Sequence, residues 1–299
     1  MLSYRHAFHI GNHADVLKHA VLLYCLDYLQ QKDTPFLAVD THAGAGQYAR
    51  EAKLVRGKDE LNTGLGRLWP MHRAGMPGIV QRYLQAIEQA QPDRSTLSLL
   101  PGSPLLIAQE LRPTDGLRAF EIHPTDFPLL AETLSGRGRR VRAEKADGFE
   151  QLKGLLPSPS RRALVLMDPP YEMKSDYIKT THAMREALTR QSNTTLLIWV
   201  PMLARFEVER LLRQAFAIPD VECLRVSLKV KRPLTDGLGL TGSHMLVFNP
   251  PFGLQEACKA AMPWLVQQLG QDDQAAWEMA LSSERPSSTP AAQPKTKGG

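Results

Sequence analysis

ALVLMDPPYEM, residues 163–173, reads as a buried strand that ends abruptly. Five apolar residues run into an acid, two prolines and a tyrosine. Pro169 and Pro170 fix φ and lack backbone N–H groups, so the segment cannot go on pairing and must leave the sheet as a rigid corner. Asp168 and Tyr171 are thereby held at the strand's C-terminal end, the edge where ligands bind in open α/β sheets.

Around this corner, strands and helical stretches alternate, as in an α/β fold with a mostly parallel sheet. About seven strands are expected: FLAVD, LRAFEI, RRVRAEKA, ALVLM, TTLLIWV, ECLRVSLKV and SHMLVFN. Helical spacing runs through DVLKHAVLLYCLDYLQQ, PTDFPLLAETL, YIKTTHAMREALTR and ARFEVERLLRQAF. The last two strands are joined by the glycine-rich KRPLTDGLGLTG and read as a C-terminal antiparallel hairpin closing one edge. From Asp40 to Glu121 is about 80 residues, where a compact crossover needs roughly 30. An inserted helical subdomain over 50–96 accounts for the excess, leaving a discontinuous core over 1–49 and 97–282. Residues 283–299 carry no large apolar side chain and are expected to be a disordered tail.

Composition excludes several classes. The chain has 299 residues, 43% hydrophobic and 22% charged, ordinary for a soluble protein. No apolar run reaches the roughly 18 residues of a membrane span, and MLSYRHAFHIGNH is too polar for a signal peptide, so a cytoplasmic protein is expected. Cys25, Cys223 and Cys258 are too scattered for a disulfide framework or a cysteine zinc site. His9 and His13 have the i, i+4 spacing of helical zinc ligands, but Gly11 and Asn12 interrupt the helix and no HExxH occurs, so no metal is expected. The net charge of +5 suits a polyanion partner. Local clusters are more specific: Arg137, Arg139, Arg140 and Arg142; Arg161 and Arg162; Lys229, Lys231 and Arg232.

The chemistry-bearing residues fall at successive strand ends. THAGAG follows FLAVD and places Gly44 and Gly46 in a strand-to-helix turn, where glycine lets the backbone approach a ligand. Glu121 ends the next strand, and Ala146, Asp147, Gly148 and Phe149 follow the one after. Carboxylates aligned in this way can accept from ribose hydroxyls or an adenine amino group. A second proline corner, NPPF at 249–252, follows the last strand, out of this order, and is not expected to be the site.

VDTHAGAG, FEIHP, ADGF and MDPPY in this order resemble S-adenosylmethionine-dependent amino methyltransferases with the class I Rossmann-like fold. With MLSYRHAFHIGNHADVLKHA, PGSP and DPPYEMK, the chain is similar to the bacterial 23S ribosomal RNA adenine-N6 methyltransferase family from Met1 to about Trp264. The resemblance implies that Asp168, Pro169 and Tyr171 act on an adenine amino group, the first two accepting its hydrogen bonds and Tyr171 stacking on the base. Lys18, His19, His42, Gly44, Gly46, Ser103, Glu121, Asp147, Gly148 and Asp168 would bind S-adenosylmethionine. Tyr4, Arg5 and Tyr171 would touch the RNA, and a base buried in a helix would have to flip out to reach the corner. The expected partner is 23S ribosomal RNA, with no membrane, and a monomer is the default. DNA adenine or a protein glutamine amide would also suit a proline corner. A nicotinamide oxidoreductase would carry its acid about 20 residues past the glycines, far short of Glu121. A non-catalytic RNA-binding protein would leave Asp168 without a role.

Overall fold

The computed structural model describes residues 9–52, 60–233 and 240–284. Tyr4, Arg5, the tail from 285 onward and part of the expected insertion lie outside the described residues. The chain runs α1 (His13–Gln30), β1 (Leu37–Asp40), β2 (Gln47–Ala49), α2 (Glu60–Thr63), α3 (Leu65–Leu68), α4 (Gly78–Ala90), β3 (Leu99–Pro101) and α5 (Ser103–Glu110). It continues with β4 (Gly116–Phe120), α6 (Asp126–Thr133), β5 (Val141–Glu144), α7 (Gly148–Leu155), β6 (Ala163–Met167), α8 (Lys174–Arg190) and β7 (Thr195–Pro201). Last come α9 (Phe206–Phe216), β8 (Cys223–Lys229), β9 (Gly242–Phe248), α10 (Leu254–Leu269) and β10 (Ala276–Leu281).

Eight strands form one sheet in the order β10-β8-β9-β7-β6-β1-β4-β5. From β7 to β5 every pairing is parallel. β6 is buried on both faces, which is why it reads as a continuous apolar run. Its side chains alternate: Leu164 and Leu166 join the core under α1, α4, α5 and α10, whereas Ala163, Val165 and Met167 join the core under α7, α8 and α9.

The expected hairpin forms, with Cys223 opposite Phe248 and Lys229 opposite Gly242, but it does not close the edge. The fully buried β9 lies between β7 and β8, and β10 pairs outside β8 as an eighth strand. β10 is only partly buried, as edge strands are, so its sequence lacks the apolar run that marks the others.

The residues between β1 and β4 are gathered by a small ribbon in which β2 pairs antiparallel with β3. Beyond it, α2, α3 and α4 have no separate core: Leu61, Leu65, Tyr83, Leu84 and Ile87 pack in the same cluster as Val21, Leu22 and Leu26 of α1. Arg82 of α4 clamps this contact, meeting both carboxylate oxygens of Asp27 at 2.9 Å and Glu110 at 2.5 Å. α1 itself starts at Asn12, whose side chain accepts from the Ala14 and Asp15 amides.

One close approach sets the shape of the ligand edge. The first residue of α7, Gly148, lies so near the end of β1 that a Cβ would stand 2.2 Å from the Thr41 carbonyl oxygen. Gly148→Ala must push α7 away from β1. The expected cost is about 1–3 kcal/mol of unfolding free energy, measured as a lower urea midpoint; an unchanged midpoint would show that the two elements part freely.

Candidate active site

The C-terminal ends of β1, β4, β5 and β6 surround a cavity of about 200 Å³. Parallel pairing brings these ends to one edge, which is how residues scattered from 40 to 168 meet. Lys18, His42, Gly44, Ser103, Glu121, Asp147, Gly148 and Asp168 all line it.

Several of these groups hold one another in place. Glu121 accepts from the Gly44 amide at 2.8 Å and from the His123 amide at 2.7 Å, so it shapes the glycine turn from beneath. Burial pushes its carboxyl above the usual range, and the two amide hydrogen bonds only partly oppose this. Asp147 caps α7 through the Phe149 amide at 3.0 Å, and its other oxygen meets Lys179 at 3.3 Å. The His42 ring lies edge-on to Phe149, 4.6 Å between centroids, with Nδ1 2.8 Å from the Thr41 hydroxyl. Burial lowers its pKa to about 4, so the ring is neutral at pH 7. Ser103 donates to Asp40 at 2.6 Å, and burial raises that carboxyl to about 6.

At the inner wall, Lys18 reaches from α1 between two carboxylates, 2.7 Å from Asp15 and 2.5 Å from Asp168. Its side chain is 3% exposed. Burial alone would lower the pKa of the ammonium, but the two acids more than offset that and hold it above the ordinary lysine value.

A second cavity of about 260 Å³ also meets this wall, lined by His9, Asn12, Tyr171, Trp199, Leu203 and Arg205 among others. Lys18, Asp168 and Pro170 belong to both cavities. Tyr171 is 2% exposed and has φ +52°, in the left-handed region that non-glycine residues rarely occupy. Its hydroxyl donates to the Trp199 carbonyl at 2.8 Å, and its ring lies 4.6 Å from that of Tyr177. The ring is therefore a fixed wall of the second cavity. Pro169 is buried behind the corner.

Two expected cofactor residues lie outside both linings. Gly46 has φ +82°, its carbonyl accepts from Gly102 at 2.8 Å, and a Cβ there would stand 2.9 Å from the Thr133 methyl. It makes the turn fit α6. His19 is 1% exposed, with its ring 5.8 Å from Tyr83 in the core shared by α1 and α4. Its place one residue after Lys18 turns it to another side of the helix.

Four lining residues carried no signal strong enough to be singled out. Ile122 follows the acid of β4 and is 50% exposed at the cavity's lip. Lys179 sits on α8 after the proline corner, and Trp199 and Arg205 reach the second cavity from β7 and the loop after it. Only the strand order reveals that β7 lies next to β6.

NPPF lies at the opposite edge, because β9 runs antiparallel. The Asn249 amide there donates to the Ser192 and Thr194 carbonyls at 2.7 Å each, closing the start of β7. Two arginine clusters share that edge: Arg137, Arg139 and Arg140 precede β5, and Arg161 and Arg162 precede β6. Arg162 donates to the Leu29 carbonyl at 2.5 Å and to that of Thr34, capping the region where α1 ends. His9 bonds Glu60 at 2.8 Å. Among the described residues, no three His, Cys, Asp or Glu side chains gather as metal ligands would, and no helix is long and apolar enough to cross a membrane.

Comparison with known proteins bears on this edge. Residues 33–281 match the family model described as "Ribosomal RNA large subunit methyltransferase D, RlmJ". The "Ribosomal RNA large subunit methyltransferase J" of Escherichia coli is 40% identical over 269 residues, covering 90% of this chain and 94% of that one. Its namesake from Haemophilus influenzae is 38% identical over 277 residues, covering 93% and 97%. A crystal structure of a Legionella pneumophila protein superposes with a TM-score of 0.83 at 30% identity, covering 92% of this chain and 98% of that one.

The neutral His42 gives the site a pH signature. Its folded-state pKa of about 4 lies below the unfolded value of 6.5. The unfolded chain therefore binds the extra proton in this window, and stability present above pH 6.5 is lost as pH falls toward 4. Between pH 7 and pH 5, ligand-free His42→Gln should lose roughly 2 kcal/mol less unfolding free energy than the wild type. Parallel pH profiles would show that His42 is protonated in the folded protein.

Proposed function

Since the chain belongs to the RlmJ family of ribosomal RNA large subunit methyltransferases, we propose that it methylates the N6 amino group of an adenine in 23S ribosomal RNA, the base turned out of its helix into the second cavity. The methyl donor is S-adenosylmethionine. The observation that carries the reading is the shared wall: two cavities are both lined by Asp168, Lys18 and Pro170, as a donor and an acceptor of one methyl group require.

The residues of the first cavity fit the donor. Its carboxylates suit a ligand rich in hydroxyl and amino donors, and Phe149 and Ile122 offer apolar surface for a planar ring. Glu121 would hold the ribose hydroxyls. Two backbone amides already use part of its accepting capacity, and a carboxylate has about four lone-pair sites. Asp147 would take the adenine amino group, and the turn at Gly44 the methionyl part. When bound, the donor supplies a methyl group on a sulfonium, an activated leaving group that needs no metal.

Asp168 would do its work on the acceptor side. Its Oδ2 is committed to Lys18, which leaves Oδ1 for the amine. An exocyclic amine is a poor nucleophile because its lone pair is delocalised into the ring. Hydrogen bonds from the amine to Asp168 Oδ1 and the Pro169 carbonyl would draw the nitrogen toward a tetrahedral shape and free that lone pair to attack. The nitrogen becomes acidic once methylated, and its proton would pass to Asp168. Tyr171 would pack against the base, an interaction worth roughly 1–3 kcal/mol in comparable sites. Flipping the base out costs a few kcal/mol.

The test is transfer of labelled methyl from S-adenosylmethionine to 23S RNA free of modification, followed by digestion to nucleosides. Label in N6-methyladenosine is expected; label in another nucleoside, in DNA alone or in a protein amide would overturn the reading. Asp168→Ala should lower the transfer rate at least about 10²-fold with donor affinity within a few-fold of wild type. Equal losses of rate and affinity would remove Asp168 from the acceptor side.

A further inference from the structure

We propose that the groove between α8 and α9 holds the RNA strand flanking the methylated adenine, with Phe206 stacking on a neighbouring base and Arg185 and Arg210 meeting phosphates. This rests on the RNA substrate proposed above and adds where the rest of the strand lies.

Three observations carry it. First, the groove carries apolar surface that no other part of the described chain covers. Six large apolar side chains stand exposed among the described residues, and two of them, Ile178 and Phe206, line this groove. Phe206 is 68% exposed. A ring so exposed is a stacking platform for any base, whatever its sequence.

Second, the charge suits a phosphate backbone. Lys174, Arg185 and Arg210 line the groove, and its single lining acid, Glu207, is already paired with Lys174 at 2.9 Å. Arg185 and Arg210 are exposed and have no acidic partner among the described residues. Of the basic clusters evident in the sequence, Arg137, Arg139 and Arg140 and the pair Arg161 and Arg162 precede β5 and β6 at the opposite edge of the sheet, and Lys229, Lys231 and Arg232 lie at or just after the end of β8, outside the groove.

Third, the groove adjoins the second cavity through neighbouring residues. Arg205 lines the cavity and its neighbour Phe206 lines the groove, while Tyr177 of the groove packs its ring on Tyr171 of the cavity. From Lys174 to Arg185 the path along α8 is about 16 Å at 1.5 Å per residue, room for about two or three nucleotides of extended strand.

The test is steady-state methylation of unmodified 23S RNA by wild type, Phe206→Ala and the double variant Arg185→Ala, Arg210→Ala. Phe206→Ala should raise the RNA KM about tenfold, with kcat and donor affinity within twofold of wild type. The double variant should reduce the slope of log affinity against log salt by about 2. Unchanged KM and slope on RNA that wild type methylates would overturn the groove alone. A wild type that methylates no RNA would overturn the substrate reading on which the groove rests. Placing p-benzoylphenylalanine at 206 gives a readout independent of any loss of fold. Irradiation should crosslink it within about three nucleotides of the methylated adenine, and crosslinks only elsewhere would contradict the proposal.

Discussion

A single buried cation, Lys18, holds the ligand edge together. It lies on α1, but its charge is spent on Asp168 at the end of β6, 150 residues away in sequence, and on Asp15 one turn back along its own helix. Taking an ammonium out of water costs several kcal/mol unless charged partners repay it. Here two carboxylates do so, and α1 is thereby fixed against the proline corner. Asp15 is held in turn by the Gly11 amide at 2.8 Å. The segment before α1 is thus bound to the same array, and residues 9 and 12 become walls of the second cavity.

The array also sets the field at the wall. Two acids against one base leave a net negative charge where a cationic sulfonium would bring its methyl. Asp40, nearby, responds to the same surroundings: burial is the largest influence raising its carboxyl, and the Asp168 charge acts in the same direction. Its hydrogen bond from Ser103 then joins the start of α5 to the end of β1. Charge that is placed in advance needs no reorganisation during reaction, which is where electrostatic catalysis gains most.

Much of this edge was legible from the chain. Periodicity located the seven strong strands, and the acids and glycines after them marked one crevice, because parallel strands must deliver their C-terminal ends to a common edge. β10 escaped because a half-exposed edge strand has little apolar pattern. The helices of the expected insertion could be read but not their partner: Tyr83 and Ile87 cover α1, which only the packing reveals. Side-chain direction was the other blind spot. Lys18 and His19 are adjacent in sequence, yet one enters the cavity wall and the other the core. Arginine clusters such as Arg139 and Arg140 stand out by composition, whereas Arg185 and Arg210 are two ordinary helix residues. Strand direction and order, which no local pattern encodes, put the first pair at the edge away from Asp168 and the second in the groove between two helices that start at the ligand edge.

The shared wall is the central claim, and a crystal structure with a bisubstrate analogue tests it most directly. In such a compound adenosine N6 is tethered to the donor at the position of the transferred methyl. The account predicts the donor nucleoside among Glu121, Asp147 and Phe149, the acceptor adenine against Tyr171, and the linking nitrogen within hydrogen-bond distance of Asp168. An acceptor adenine bound anywhere other than the second cavity, with the donor half in the first, would contradict it.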